Sequence, residues 1–343
     1  MTSQANLELL LFSLLMIFSC GQEVHNRANR STSDFVDGIT MVAPSKPLSE
    51  NPTLEIREIG AGWLAIVPYA FTPSDRPMVR YDESKQWWGE TREGIVETIR
   101  YCHESGLKVM LKPQIWAHHS WSGDINYDDH LDWVSWEKGY EDYIFQMAEI
   151  ADTMGVELLC IGTELKQSVA HRPLFWKNLI VEVREIFGGK LTYASNWDSY
   201  TVPQFWSDLD YIGINAYFPL IDSQHPDRSA LSRAWKPIRK EIEQFSQKWE
   251  MPVLFTEFGY LSTDYNAYNT WEKEDRIQEL PVNEKAQAVA LDVLMENFYP
   301  YDWWAGGFIW KWYTSQSRIR NKDKDYTVQG KQGQEILQKW YNK

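Results

Sequence analysis

The sequence predicts an α/β fold, a single (β/α)8 TIM barrel over residues 35–343. Three observations predict it. Short apolar runs alternate with longer segments of helical period, the runs number eight, and several are apolar almost throughout, as parallel strands buried on both faces are.

In chain order the predicted strands are 38–42, 63–69, 108–114, 156–163, 191–196, Tyr211–Asn215, 253–256 and 307–311. Between them, Tyr140, Tyr143, Ile144, Met147, Ala148, Ala151 and Met154 fall on one helical face, as do Ala286, Val289, Ala290, Val293, Leu294 and Phe298. These are helices that cover a sheet. Gly106, Gly155 and Gly189 each stand just before a strand, where glycine can end a helix in the left-handed conformation. Residues 334–341 place Ile336, Leu337, Trp340 and Tyr341 for a closing helix. A doubly wound open sheet is the competing arrangement, but its glycine-rich phosphate fingerprint after the first strand is missing. No Pro/Gly/Ser-rich linker divides the region, so one domain suffices.

Composition narrows the function. The net charge of -14, from 34 basic and 48 acidic residues, opposes phosphate backbones and anionic lipid headgroups, and nucleic acid is not an expected partner. No phosphate loop, paired-cysteine zinc spacing or 20-residue apolar span is present, so no cofactor and no metal are expected. With 18 Trp, 18 Tyr and 14 Phe, the chain carries more flat apolar surface than its core calls for. Such rings suit sugars, whose C–H faces are apolar and whose hydroxyls meet the indole N–H. Cys102 on a predicted helix and Cys160 in a buried strand read as small apolar side chains, not as a disulfide framework. No partner subunit is called for, and a monomer is expected.

Residues 7–18 are apolar apart from Glu8 and Ser13 and run into Ser19, Cys20 and Gly21, although no Lys or Arg precedes them. This resembles a bacterial lipoprotein signal. The resemblance implies a signal over residues 1–20, a lipid anchor on Cys20 as the one membrane attachment, a polar tether over 21–34, and export to the cell envelope.

In a barrel of this kind the active site lies where the strands end. The fourth predicted strand ends in CIGTELK with Glu164 at the rim, and the seventh in LFTEFGY with Glu257 at the rim. The chain between them fits three βα units at roughly 31 residues each. Strands four and seven face each other across the barrel mouth, so two carboxyl groups can flank one substrate. Glycoside hydrolysis needs such a pair: a carboxylic acid protonates the leaving oxygen while a carboxylate meets the oxocarbenium ion, and retention needs a separation of about 5 Å. Burial and the neighbouring charge should raise the pKa of the acid. A single rim glutamate could equally pair with Lys or Arg, but two at matching positions favour chemistry.

At these residues the chain resembles the glycoside hydrolases of clan A, and most closely the family 113 β-mannanases. The matching segments are WLAIVPYAF, GLKVMLKPQIW, IGTELK, YIGINAYFPL, FTEFGY and GGFIWKW. The resemblance implies Glu164 as acid/base and Glu257 as nucleophile, net retention, no metal requirement, and endo-acting hydrolysis of β-1,4-mannan, glucomannan or manno-oligosaccharides. It also implies Trp310 as the stacking platform beneath the reacting sugar. Where many clan members carry Asn before the acid/base this chain has Thr163, a shorter group at a position that meets the sugar 2-hydroxyl.

Other candidate substrate contacts follow from position: Asn215 and Tyr217 after strand six, Asn196 at the end of strand five, and Tyr69 at the end of strand two. WAHHSW after strand three reads as a loop in which Trp116 and His119 contact substrate, and whose adjacent His118 and His119 diverge too far to share a metal. Trp87 and Trp88 are candidates for outer sugar sites. The competing functions are hydrolysis of another β-linked polymer such as β-glucan, and an inactive lipid-anchored carbohydrate-binding protein.

Overall fold

The computed structural model describes residues 35–73, 75–315 and 320–343. The expected signal and tether, residues 1–20 and 21–34 with Cys20, lie outside the described residues. In chain order the elements are β1 (Val36–Met41), α1 (Thr53–Glu58), β2 (Trp63–Ile66), β3 (Tyr69–Thr72), α2 (Arg92–Glu104), β4 (Lys108–Leu111), β5 (Gln114–Ala117) and α3 (His130–Met154). They continue as β6 (Leu158–Thr163), α4 (Lys166–His171), α5 (Pro173–Ile186), β7 (Lys190–Asn196), β8 (Tyr211–Asn215) and α6 (Arg228–Trp249). The last are β9 (Val253–Phe258), α7 (Thr270–Asp275), α8 (Glu284–Phe298), β10 (Trp304–Trp312) and α9 (Gln332–Tyr341).

Eight of these strands, in the order β1, β2, β4, β6, β7, β8, β9 and β10, close a parallel barrel in which β10 pairs back onto β1. This is the (β/α)8 barrel that the alternation predicts. Two predicted strands are cut short at a proline. The runs over 63–69 and 108–114 each contain a proline, Pro68 and Pro113, which has no N–H for the ladder, so β2 stops at Ile66 and β4 at Leu111. The chain then resumes as β3 and β5, which pair in parallel as a separate two-stranded ribbon at the barrel mouth.

The barrel interior is filled by Val36, Trp63, Met110, Leu158, Cys160, Leu254 and Phe308, among others. Each large apolar side chain there stabilises the fold by about 1.5–3 kcal/mol. Outside the barrel, α3 turns Tyr140, Tyr143, Ile144, Met147, Ala148 and Ala151 inward, and α8 buries Ala286, Ala290, Val293, Leu294 and Phe298. Asp129 starts α3 by accepting from Leu131 N, and Gly155 stops it at φ 69°, where a side chain would be strained. Gly189 differs from the expectation: α5 ends at Ile186 and Phe187 is its extended C-cap. A Cβ at Gly189 would lie 2.2 Å from the Phe187 ring, so close packing is what demands glycine there.

Helix α9 closes the structure, with Leu337, Trp340 and Tyr341 buried. Its Tyr341 hydroxyl donates to Gly38 O at 2.8 Å and its Trp340 indole to Asp292 Oδ1 at 2.7 Å. Among the described residues no helix is long and apolar enough to cross a membrane.

Candidate active site

Glu164 is the first residue beyond β6 and has φ 56°, a left-handed conformation uncommon for a residue with a side chain. Neighbouring hydrogen bonds hold it. Glu164 N donates to Ala194 O at 2.8 Å, Lys166 N to Glu164 O at 2.8 Å, and Leu165 N to the Tyr193 hydroxyl at 2.8 Å. The turn aims the carboxyl group into the barrel mouth, where Oε1 accepts from Asn215 Nδ2 at 2.8 Å and Oε2 from the Trp121 indole at 2.7 Å. Trp121 can lie this way because Gly123 leaves room: a Cβ there would sit 2.4 Å from the indole ring.

Glu257 lies near the end of β9. Its Oε1 accepts from Lys112 Nζ and from Gln114 Nε2, the latter at 3.0 Å, and its Oε2 accepts from the Tyr217 hydroxyl at 2.8 Å. Burial first, and then the charge on Glu257, hold the Tyr217 phenol well above its ordinary range, so it stays a donor.

Asn215 links the two carboxyl groups by way of Lys112. Its Oδ1 accepts from Lys112 Nζ at 3.2 Å and Thr256 Oγ1 at 2.9 Å. With the oxygen side so engaged, the amide nitrogen faces Glu164. The Glu164 carboxyl is held above its usual pKa by burial first and by the Glu257 charge second, against the opposing effect of the Asn215 and Trp121 hydrogen bonds.

Above these groups opens a cleft of about 890 Å³, within the range of small-molecule sites. Glu164, Glu257, Asn196, Tyr217, Trp310 and His119 all line it. Trp310 lies in β10, two residues before its end, lines the cleft and is joined to Lys311 by a cis peptide. Asn196 donates to Asp198 Oδ1 at 3.1 Å. Trp121 also lines the cleft, as does Trp197 stacked on Trp271, whose ring centroids are 5.7 Å apart at 25°.

Several candidates stand elsewhere. Thr163 is buried beneath the cleft, its hydroxyl 4.0 Å from Cys160 Sγ, so the amide bound to Glu164 belongs to Asn215 instead. Tyr69 opens β3 and does not end a barrel strand. Trp116 is in β5, not in a loop, and lines a neighbouring groove. The rings of His118 and His119 do not diverge but touch, with centroids 3.8 Å apart. Trp88 lines a third surface groove, and Trp87 is exposed. Among the described residues no group of three or more His, Cys, Asp or Glu side chains could hold a metal ion.

Sequence reasoning missed Lys112, Gln114, Trp197 and Trp271. For Lys112 a signal existed: a lysine that ends an almost wholly apolar strand is buried unless it meets an acid. For Trp197 and Trp271 no local pattern marks the contact, because residue 271 belongs to a helix of six residues with no apolar period.

The chain is similar in fold to solved structures of known hydrolases. A β-1,4-mannanase of glycoside hydrolase family 113, solved as a complex, superposes with a TM-score of 0.77 at 24% identity, over 90% of this chain and 99% of that one. The family 113 β-mannanase AaManA from Alicyclobacillus acidocaldarius, in complex with ManMIm, gives 0.77 at 20% identity over 90% and 97%. A β-glucuronidase from Ruminococcus gnavus is more distant, at 0.61 and 13% identity, over 90% of this chain and 50% of its own. No curated protein sequence matches the chain. The model of glycoside hydrolase family 113 matches residues 47–331, most of the barrel with both rim glutamates, and the chain therefore belongs to that family and is a glycoside hydrolase.

Proposed function

We infer that the enzyme is a retaining β-1,4-mannanase in which Glu164 is the acid/base and Glu257 the nucleophile. The observation that carries the assignment of roles is the unequal surroundings of the two carboxyl groups. Glu257 is oriented by a cation, an amide and a phenol, whereas the hydrogen-bond partners of Glu164 are neutral and its pKa is raised. Paired carboxyls whose environments differ in this way take different roles.

In the first step a Glu257 carboxylate oxygen bonds to the anomeric carbon as the glycosidic C–O bond breaks, and the departing oxygen takes the Glu164 proton. In the second, water adds to the anomeric carbon, gives its proton to Glu164, and releases Glu257 as carboxylate. Lys112 is the counter-ion that Glu257 has at the start and regains at the end.

The preference for mannan rests on family membership and on the mannanases that share the fold. Digesting mannohexaose and cellohexaose in parallel, with the anomer released followed by NMR, tests sugar and stereochemistry together. Cleavage of the mannose chain with the β-anomer formed first is expected. Cleavage of the cellohexaose alone would transfer the enzyme to β-glucans, and the α-anomer formed first would overturn retention.

The sequence around Cys20 supports a lipid-anchored enzyme at the cell envelope, acting on chains outside the cell. Loss of membrane association in Cys20→Ala is expected, and unchanged association would refute the anchor.

A further inference from the structure

The ribbon formed by β3 and β5 has two unlike faces. Ala70, Thr72, Ile115 and Ala117 are buried beneath it, and Tyr69, Phe71, Gln114 and Trp116 point the other way, as strand alternation requires. In register, Tyr69 pairs with Gln114 and Phe71 with Trp116. The inner end of this upper face touches the chemistry, since Gln114 donates to Glu257 Oε1 at 3.0 Å. Two residues farther out, about 7 Å along the strand, stands Trp116, whose surface is 57% exposed.

Trp116 opens onto a groove of about 610 Å³, edged by Phe71, Gln86, His118 and by Arg80, which is tied to Glu83 at 2.7 Å. Two contacts join this groove to the catalytic cleft. His118 lines the groove and His119 the cleft, and their rings touch. Tyr69 packs edge-on against Trp116 at 6.2 Å and feels the charges of both Glu257 and Glu164.

We propose that the outer end of the β3/β5 ribbon is a distal sugar subsite, in which Trp116 is the platform for a pyranose ring of the same chain that Glu164 and Glu257 cleave. An exposed indole backed by a second ring is a rigid, flat apolar surface, and the His118 imidazole beside it, with the guanidinium edge that Arg80 does not give to Glu83, can meet hydroxyls, while the Gln86 amide is engaged with Tyr69 O and Glu83 N. The spacing from Gln114 to Trp116 is comparable with one pyranose ring, so the subsite serves a sugar removed from the scissile bond. Binding there adds affinity for long chains and nothing for short ones. The proposal rests on the reading of the cleft as a β-glycan hydrolase site and extends it to chain length.

The test is a ladder of manno-oligosaccharides from trimer to hexamer, with kcat/KM measured for the full chain and for Trp116→Ala, Trp116→Phe and Leu174→Ala. In the unmodified enzyme kcat/KM should rise along the ladder. Trp116→Ala should cut the hexamer-to-trimer ratio about tenfold, chiefly through KM, and Trp116→Phe should retain most of it. Leu174→Ala, an exposed apolar residue on α5, should leave the ratio as it was. An unchanged ratio in Trp116→Ala, or an equal loss on every substrate, overturns the subsite. So does a changed oligomeric state with the ratio intact, which would give this face to a second copy of the chain. If only cello-oligosaccharides are cleaved, the sugar assignment falls and the same ladder in glucose tests the platform. If neither is cleaved, calorimetric binding of mannohexaose to Glu164→Gln with and without Trp116→Ala reads it directly, and equal affinities overturn it.

Discussion

Lys112 and Glu257 form a buried ion pair at the base of the cleft, with side chains 0% and 8% exposed. They are 145 residues apart in the chain and meet because the third and seventh strands of the barrel face across its mouth. A pair so enclosed is held by its mutual satisfaction, and removing one member leaves the other charged and without its partner.

Lys112→Met is therefore expected to destabilise the protein by about 3–5 kcal/mol, read from chemical unfolding. Adding Glu257→Gln should recover much of that loss. Losses that simply add in the double variant would show that the pair is not coupled.

The roles of the glutamates separate by leaving group. Glu164→Gln should slow hydrolysis of unactivated oligosaccharides by about 10²–10⁴-fold, and much less for an aryl glycoside whose leaving group needs no proton. Glu257→Gln should abolish both. Equal losses on the two substrates in Glu164→Gln would exclude it as the acid.

The raised pKa of Glu164 makes a signed prediction. The acid must be protonated to act, so the alkaline limb of kcat/KM reports its pKa. Trp121 donates to the carboxyl and pulls the pKa down, so Trp121→Phe should move that limb to higher pH. The same shift acts on stability. A carboxyl that binds its proton more tightly folded than unfolded contributes stability below its ordinary pKa and loses it as the pH rises through the folded pKa. The melting temperature of Glu164→Gln relative to the unmodified enzyme should therefore climb as the pH rises above the ordinary carboxylate range, and a flat difference would contradict the shift.

Gly259 follows β9, and a Cβ there would lie 2.5 Å from Trp310 O. Gly259→Ala should displace the Trp310 platform and destabilise the fold by about 1–3 kcal/mol. A rise in KM for oligosaccharides together with a lower melting temperature is expected, and normal kinetics would show that Trp310 is not held from this side.

Both carboxyl groups were legible before the fold was known because each ends an apolar strand, where a barrel exposes its rim. The tryptophans of the cleft were less so. Trp310 lies in a readable strand, but Trp116 reads as a loop residue in the sequence because only the fold shows that the chain resumes as a second strand after Pro113. Two prolines in corresponding runs, Pro68 and Pro113, were the trace of a second ribbon. Their meaning depends on β3 and β5 finding each other.

By itself the sequence determined the eight strands, the faces of the covering helices and the rim positions of Glu164 and Glu257. Each of these is written in local period, since apolar spacing states which side of an element is buried. The tertiary structure decided what touches the two carboxyl groups: Lys112, Gln114 and Tyr217 at Glu257, and Asn215 and Trp121 at Glu164. It also removed Thr163 from the cleft and stacked Trp197 on Trp271. These partners come from different strands and loops, and closure of the barrel is what sets them within hydrogen-bond reach, a relation that no stretch of neighbouring residues encodes.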